Sequence, residues 1–377
     1  MGRNPYILGV SESAEVVIVG GGATGASIAY HLTTLGVTDI VLLERDELAS
    51  GSTSKSAGGI RAQFADELNV RIALRSIDEF TAFAELVGTE IDFHQAGYLF
   101  LLDDELDAGR FRAALALQHS LGVPSREISS AEAAAIVPGL QVSDILAATF
   151  CPADGYATPE AVVQGYAAAA RRAGARIRQG DPVTGIEVEK GHVTGVATRG
   201  GRISTATVVC AAGAWSGEVA ALAGVELPVS GELRFMHYTP DSGGLPRSLP
   251  LTIDFTTGFY FHSEGPGLVF GGREQTLEGI AEHAAHRLPL LTELPVQASW
   301  SGYYEMSPDH NAIVGGTTDP EGFLYATGFS GHGFQQAPAV GEHIAELVAG
   351  RVPTLDLSPF SLERFARGEV REEHFVI

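Results

Sequence analysis

Val16 to Val19 is an unbroken apolar run, as expected of a strand buried on both faces of a parallel sheet. The period then changes: Ala26, Ala29 and Tyr30 recur at helical spacing until Gly36 ends the helix, and a second apolar run, "DIVLLE", closes on Glu44. Leu68, Ile72, Leu74, Ile77, Phe80, Phe83 and Leu86 predict a helix within 67–87. The stretch "IDFHQAGYLFLLDD" reads as two strands and 104–121 as a helix. Pro159 near the first turn and Gly174 just past the end bracket a further helix. Residues 175–212 read as strand, turn, strand, turn, strand, with turns at "EKGH" and "TRGG" and "TVVCAAG" as the last strand. From 226 to 305 aromatic and polar residues alternate in "LRFMHYTP", "LTIDFTTGFYFHSEG" and "GLVFGGREQ", which predicts antiparallel sheet. The last periodic stretch, "GFSGHGFQQAPAVGEHIAELV", sets three glycines in front of a long helix.

Composition changes this picture little. With 377 residues, one or two domains are expected, and 45% hydrophobic with 19% charged residues suits a soluble globular protein. The 24 basic and 46 acidic residues give a net charge of −22, which disfavours nucleic acid and anionic membrane as partners. No run reaches the roughly 18–20 apolar residues of a membrane span, and "MGRNPYILGVSESAE" reads as a short tail, without a signal-peptide core. Cys151 and Cys210 read as small buried apolar residues, with the cytoplasm as the default compartment. No metal, internal repeat or low-complexity linker is expected.

The chemistry starts at the first turn. Gly20, Gly22 and Gly25 satisfy G-x-G-x-x-G between the strand and the helix, with Ala23 and Thr24 between them. Glu44 ends the second strand, 44 − 20 = 24 residues on. Tight turn, helix N-terminus for a pyrophosphate and carboxylate for ribose hydroxyls together form a dinucleotide fingerprint. His31 in this helix reads as a packed side chain. The loop after Glu44 and Arg45 carries Ser50, Gly51, Ser52, Thr53, Ser56, Ala57, Gly58, Gly59 and Ile60, hydroxyls and backbone suited to run along an extended FAD. Arg61 beyond it is a planar fork for a substrate carboxylate. The meander ending in "AAGAWS" resembles the insertion that flanks the adenosine half of FAD in two-nucleotide folds, and the resemblance implies Val183 near the adenine and Ala212, Gly213 and Trp215 close to the cofactor. Tyr260, His262, Arg273 and Tyr304 are polar groups on the strands of the aromatic stretch or at their ends, and candidates for the substrate side.

The order of "VIVGGGATGASIAYHL", "SGSTSKSAGGIRAQF", "DFTTGFYFHSEGPGLVFGG" and "YYEMSPDHNAIVGG…GFSGHGFQQAPAVGE" resembles the D-amino-acid-oxidase-like family of FAD-dependent flavoproteins, in its sarcosine oxidase, glycine oxidase and proline dehydrogenase beta-subunit-like branch. The resemblance implies an α/β, Rossmann-like two-nucleotide FAD-binding domain with a parallel sheet and β-meander (1–90, 148–224 and 306–377). A second α+β domain with a mainly antiparallel sheet (91–147 and 225–305) would take the substrate. It further implies oxidation of the C–N bond of a small amino acid or secondary amine by hydride transfer to flavin N5, followed by imine hydrolysis. Gly328, Ser330, Gly331, His332, Gly333 and Phe334 fall where the family turns a helix N-terminus toward the flavin ring, and Arg61 where it binds a carboxylate. Three departures matter: Gly302 stands about where covalent members carry a flavin-linked cysteine, Val269 where monomeric sarcosine oxidases carry an oxygen-activating lysine, and Gln335 where relatives bind the carboxylate with lysine. FAD is therefore expected to be non-covalent and a dehydrogenase is favoured. A 2-hydroxy acid or polyol dehydrogenase of the same fold stays open, as does a flavin-bearing subunit or assembly protein needing a partner subunit or homo-oligomer.

Overall fold

The computed structural model describes residues 12–376. The N-terminal tail read from the sequence falls mainly outside them. Two large sheets organise the chain. The first has ten strands, and its core is five parallel neighbours: Glu321–Thr327, Val208–Cys210, Val16–Val19, Ile40–Leu43 and Arg176–Arg178. Val16–Val19, Ile40–Leu43 and Val208–Cys210 are buried at every position, which explains their continuous apolar runs. An antiparallel meander of Val183–Glu189, His192–Thr198 and Gly201–Ser204 attaches at the edge. The meander therefore ends one strand earlier than the sequence suggested. The "TVVC" run belongs to the parallel sheet because both of its faces are covered.

The second sheet has eight strands, drawn from residues 98–151 and 230–306. All its pairings are antiparallel except Leu251–Asp254 with Tyr98–Leu102. Within the stretch that alternation marked as sheet, Leu277–Arg287 is a helix capped by Thr276, whose hydroxyl accepts from the Gly279 amide at 3.1 Å. The first of the two strands read in "IDFHQAGYLFLLDD" is reduced to a single bridge between His94 and Tyr156, and only Tyr98–Leu102 forms a full strand. The helical stretch at 67–87 breaks at Ala82 into Glu67–Thr81 and Phe83–Val87.

Helices Ala23–Thr34 and Gly333–Val348, the first and last long ones, pack directly against each other. A Cβ added to Gly341 would fall 2.1 Å from Ser27 Oγ, so glycine is needed for this approach. His31 is buried beside this contact, as read from the sequence. Its Nε2 lies 3.1 Å from Glu79 Oε2, while Tyr166 donates to Glu79 Oε1 at 2.6 Å. Burial raises the Glu79 pKa, but these bonds outweigh it and hold the carboxyl below its ordinary value. Among the described residues, no helix is long and apolar enough to cross a membrane.

Candidate functional site

Two glycines shape the turn before the first helix. Gly20 sits at φ 114°, and a Cβ on Gly25 would lie 1.9 Å from the Gly20 carbonyl oxygen. Glycine at both places lets the helix start directly on the strand end. The helix begins at Gly22 with no side-chain cap and no acid in its first turn. Glu44 Oε2 accepts from the Gly21 amide at 2.7 Å, and Thr53 Oγ1 accepts from Ala23 at 3.1 Å. These bonds tie the second strand and the serine-rich loop to the same turn. An uncapped N-terminus with unspent amides is an anion site by default.

Helix Gly333–Val348 repeats the feature. It too has no side-chain cap and no acid in its first turn. Because the two helices are packed together, both N-termini open on one cavity of about 500 Å³. Its lining includes Val183, Arg45 and Trp215, with the Arg45 guanidinium 4.4 Å from the Trp215 ring centroid. Ser50, Gly51, Ser52, Thr53, Ser56 and Ala57 line it as well. A further part of the lining is a chamber of Met236, Tyr260, Tyr304, Arg234 and Glu305.

Of the residues singled out from the sequence, Gly20, Gly22, Ala23, Thr24, Glu44, Ala212, Gly213, Gly302, Gly331, Gly333 and Phe334 also line this cavity. Gly25, Gly58, Gly59, Ile60, Gly328 and Ser330 stand behind the lining. Gly59–Ile60 pairs with Gly155–Tyr156, and Ser330 Oγ accepts from the Ser307 amide at 3.1 Å.

Arg61, His332 and Gln335 form a separate buried cluster. Gln335 Oε1 accepts from the Arg61 amide at 2.8 Å, and Arg61 Nη2 lies 3.0 Å from His332 Nε2. The guanidinium also donates to the carbonyls of Gln63 and Phe375 and rests 4.1 Å from the Phe64 ring centroid. Burial lowers the Arg61 pKa, partly opposed by Tyr98 and Glu373. Burial and the Arg61 charge push His332 well below its ordinary value, so its ring is neutral and accepts from Arg61. Arg61 is thus turned to the C-terminal segment, and it does not line the cavity. His262 does not line it either: it is buried behind the lining residue Ala57, with its ring tilted 31° against Tyr156 at 4.2 Å, and burial lowers its pKa to about 4. Arg273 is exposed and donates to the carbonyls of Thr256 and Val376.

Arg234 and Glu305 are among the cavity residues not singled out from the sequence. Arg234 lies on strand Ser230–Thr239, where period-2 alternation places it on one face with Met236. Glu305 follows Tyr304 in the "YYEMSPDH" motif. Its Oε2 accepts from Thr327 Oγ1 at 2.8 Å and from the Gly328 amide at 3.1 Å. Burial pushes its pKa up to about 7 against these two bonds. The motif marked the place, but only the fold shows its carboxyl beside the second helix N-terminus.

Comparison with known proteins agrees with this geometry. The family model described as FAD dependent oxidoreductase matches residues 15–347. FAD-dependent oxidoreductase domain-containing protein 1 of Bos taurus is 32% identical over 433 residues, covering 97% of this chain and 87% of that protein. Mitochondrial sarcosine dehydrogenase of Homo sapiens is 28% identical over 388 residues, covering 94% of this chain and 42% of that protein. The crystal structure of L-proline dehydrogenase from P. horikoshii matches with a TM-score of 0.90 at 34% identity, covering 96% of this chain and 100% of that one. The residues present fit the family's FAD in kind: a glycine-shaped uncapped helix N-terminus, a carboxylate at Glu44, a hydroxyl-rich lining and a second uncapped helix N-terminus.

Proposed function

The chain belongs to the FAD dependent oxidoreductase family, and from that premise we propose that it is a dehydrogenase for the C–N bond of small secondary-amine amino acids, of the sarcosine, proline or N-methyl amino acid class. Two relatives are named for such substrates, L-proline and sarcosine. The observation that carries the reading is the chamber in the cavity lining, where a buried arginine and two tyrosines accompany the apolar Met236. A small ligand with one anionic group and an apolar body suits that lining.

Bound FAD would supply the hydride acceptor for the substrate C–H bond. The Gly20–Gly25 turn would hold its pyrophosphate and Glu44 its ribose. The N-terminus of helix Gly333–Val348 carries the equivalent of roughly half a positive charge and would favour the negative charge of a reduced ring. Cofactor attachment would be non-covalent. A Cβ on Gly302 would lie 2.5 Å from Lys55 Cβ, and both cysteines are buried off the cavity lining. Val269 is 3% exposed and offers no cation for oxygen activation.

Turnover tests the reading. The purified holoprotein should reduce an artificial electron acceptor with proline, sarcosine or an N-methyl amino acid, releasing the imine or its hydrolysis product. Activity confined to lactate, glycolate or glycerol phosphates would replace this reading by alcohol oxidation.

A further inference from the structure

The two arginines nearest the chamber differ in what their donors are already doing. Arg61 is 3% exposed and both of its Nη nitrogens are engaged: they donate to two backbone carbonyls and to His332. That paired face opens to a ligand only if the C-terminal segment leaves. Arg234 is 9% exposed, and only its Nη1 is engaged, by Glu232 Oε1 and the Leu233 carbonyl. Its Nε is buried without any partner. Among the described residues the Nε–Nη2 edge makes no hydrogen bond.

That edge is one of the two faces on which a guanidinium takes a carboxylate with parallel N–H···O bonds. A buried donor left unpaired costs about 1–3 kcal/mol, so such a group persists where a ligand completes it. The surroundings agree. Arg234 lines the cavity, and its guanidinium carbon lies 5.1 Å from the Tyr304 ring centroid. Tyr260 and Tyr304 share the lining, and burial raises both phenols, which stay protonated and can donate. Glu232 is half-exposed, so its pairing with Nη1 is screened by solvent and leaves the buried edge as an electropositive donor.

We infer that Arg234, through its free Nε–Nη2 edge, binds the carboxylate of the substrate, with Tyr260 and Tyr304 as neighbouring donors, and that Arg61 instead fastens the C-terminal segment. This deepens the functional reading above and rests on it. Arg234 thereby sets the class of substrate: an amine that carries a carboxylate, rather than a neutral or cationic amine.

The test uses pyrrole-2-carboxylate, a planar ring that cannot be oxidised as an amine, and its neutral carboxamide. Both are titrated into the holoprotein while the flavin spectrum is followed. The wild type should bind the carboxylate at least about tenfold more tightly than the amide, the range of one charge-assisted fork. Arg234→Met should erase that ratio while its flavin content stays at the wild-type level. Arg234→Lys, a point charge without the fork, should restore part of it. A merely structural arginine would weaken both ligands together and leave the ratio intact. An unchanged ratio in Arg234→Met overturns the inference alone. A wild-type flavin perturbed by no carboxylate overturns both the inference and the amino-acid reading beneath it.

Discussion

Glu305→Gln isolates an ionisable group of the cavity that burial displaces toward neutral pH. The carboxyl is half-buried on the lining, and its two hydrogen bonds, from Thr327 and the Gly328 amide, do not balance the loss of water. Its pKa rises from an ordinary 4.5 to about 7. The folded chain therefore holds a proton there that the unfolded chain has released. Stability from this group is complete below pH 4.5 and is lost as pH rises through about 7. The interval of roughly 2.5 pH units is worth about 3 kcal/mol at ~1.36 kcal/mol per unit. Partial solvent screening brings that nearer 2 kcal/mol. Glutamine keeps an oxygen for both donors and cannot ionise. Urea unfolding of the two holoproteins should give equal stability near pH 4. By pH 8 the variant should be the more stable by about 2 kcal/mol. The wild-type flavin spectrum should also titrate near pH 7, a change absent from the variant. A stability difference that is flat with pH, or one that grows in favour of the wild type as pH rises, would refute the reasoning.

Gly25→Ala places a Cβ 1.9 Å from the Gly20 carbonyl oxygen, so the turn must open by more than about 1 Å; the ratio of flavin to protein absorbance should fall at least about tenfold with the circular dichroism intact. Arg364→Met strips the partner from Asp309, a pair at 2.8 Å with both side chains buried, and should cost roughly 3–5 kcal/mol by urea unfolding. Much of that loss should return when Asp309→Asn is added. Acid precipitation of the yellow protein should leave the flavin in the supernatant, because Gly302 offers no thiol and both cysteines are buried; colour in the pellet would contradict non-covalent binding.

The turn at Gly20–Gly25 was legible in the sequence because everything it needs is local: a run of apolar residues, three glycines at fixed spacing and a helical period behind them. Trp215 and Val183, each near a turn or strand end with a clear signal in the sequence, line the cavity. The helix at Leu277–Arg287 was missed because aromatic alternation on both sides masked an eleven-residue alanine-containing stretch with its Thr276 cap. Arg61 and Arg234 show the larger difficulty. From residue type alone, Arg61 was the natural ligand for a carboxylate, and nothing nearby in sequence reveals that the Phe375 carbonyl takes one of its nitrogens. Arg234 stood in an ordinary strand pattern. What distinguishes it is a pairing between distant strands, with Arg234 opposite Gly302 and Glu232 opposite Tyr304, which brings the residue, with its Nε unpaired, to the cavity lining. Which donors of an arginine are engaged is a property of the folded neighbourhood, and residue spacing does not encode it.

Anaerobic mixing of the holoprotein with a single secondary-amine amino acid tests the central claim most directly, because it needs no electron acceptor or partner. Proline, sarcosine or an N-methyl amino acid should bleach the visible flavin band in one turnover and form one equivalent of imine-derived product. The matching 2-hydroxy acid should leave the band unchanged. Bleaching by the hydroxy acid with none by any amine would contradict the account.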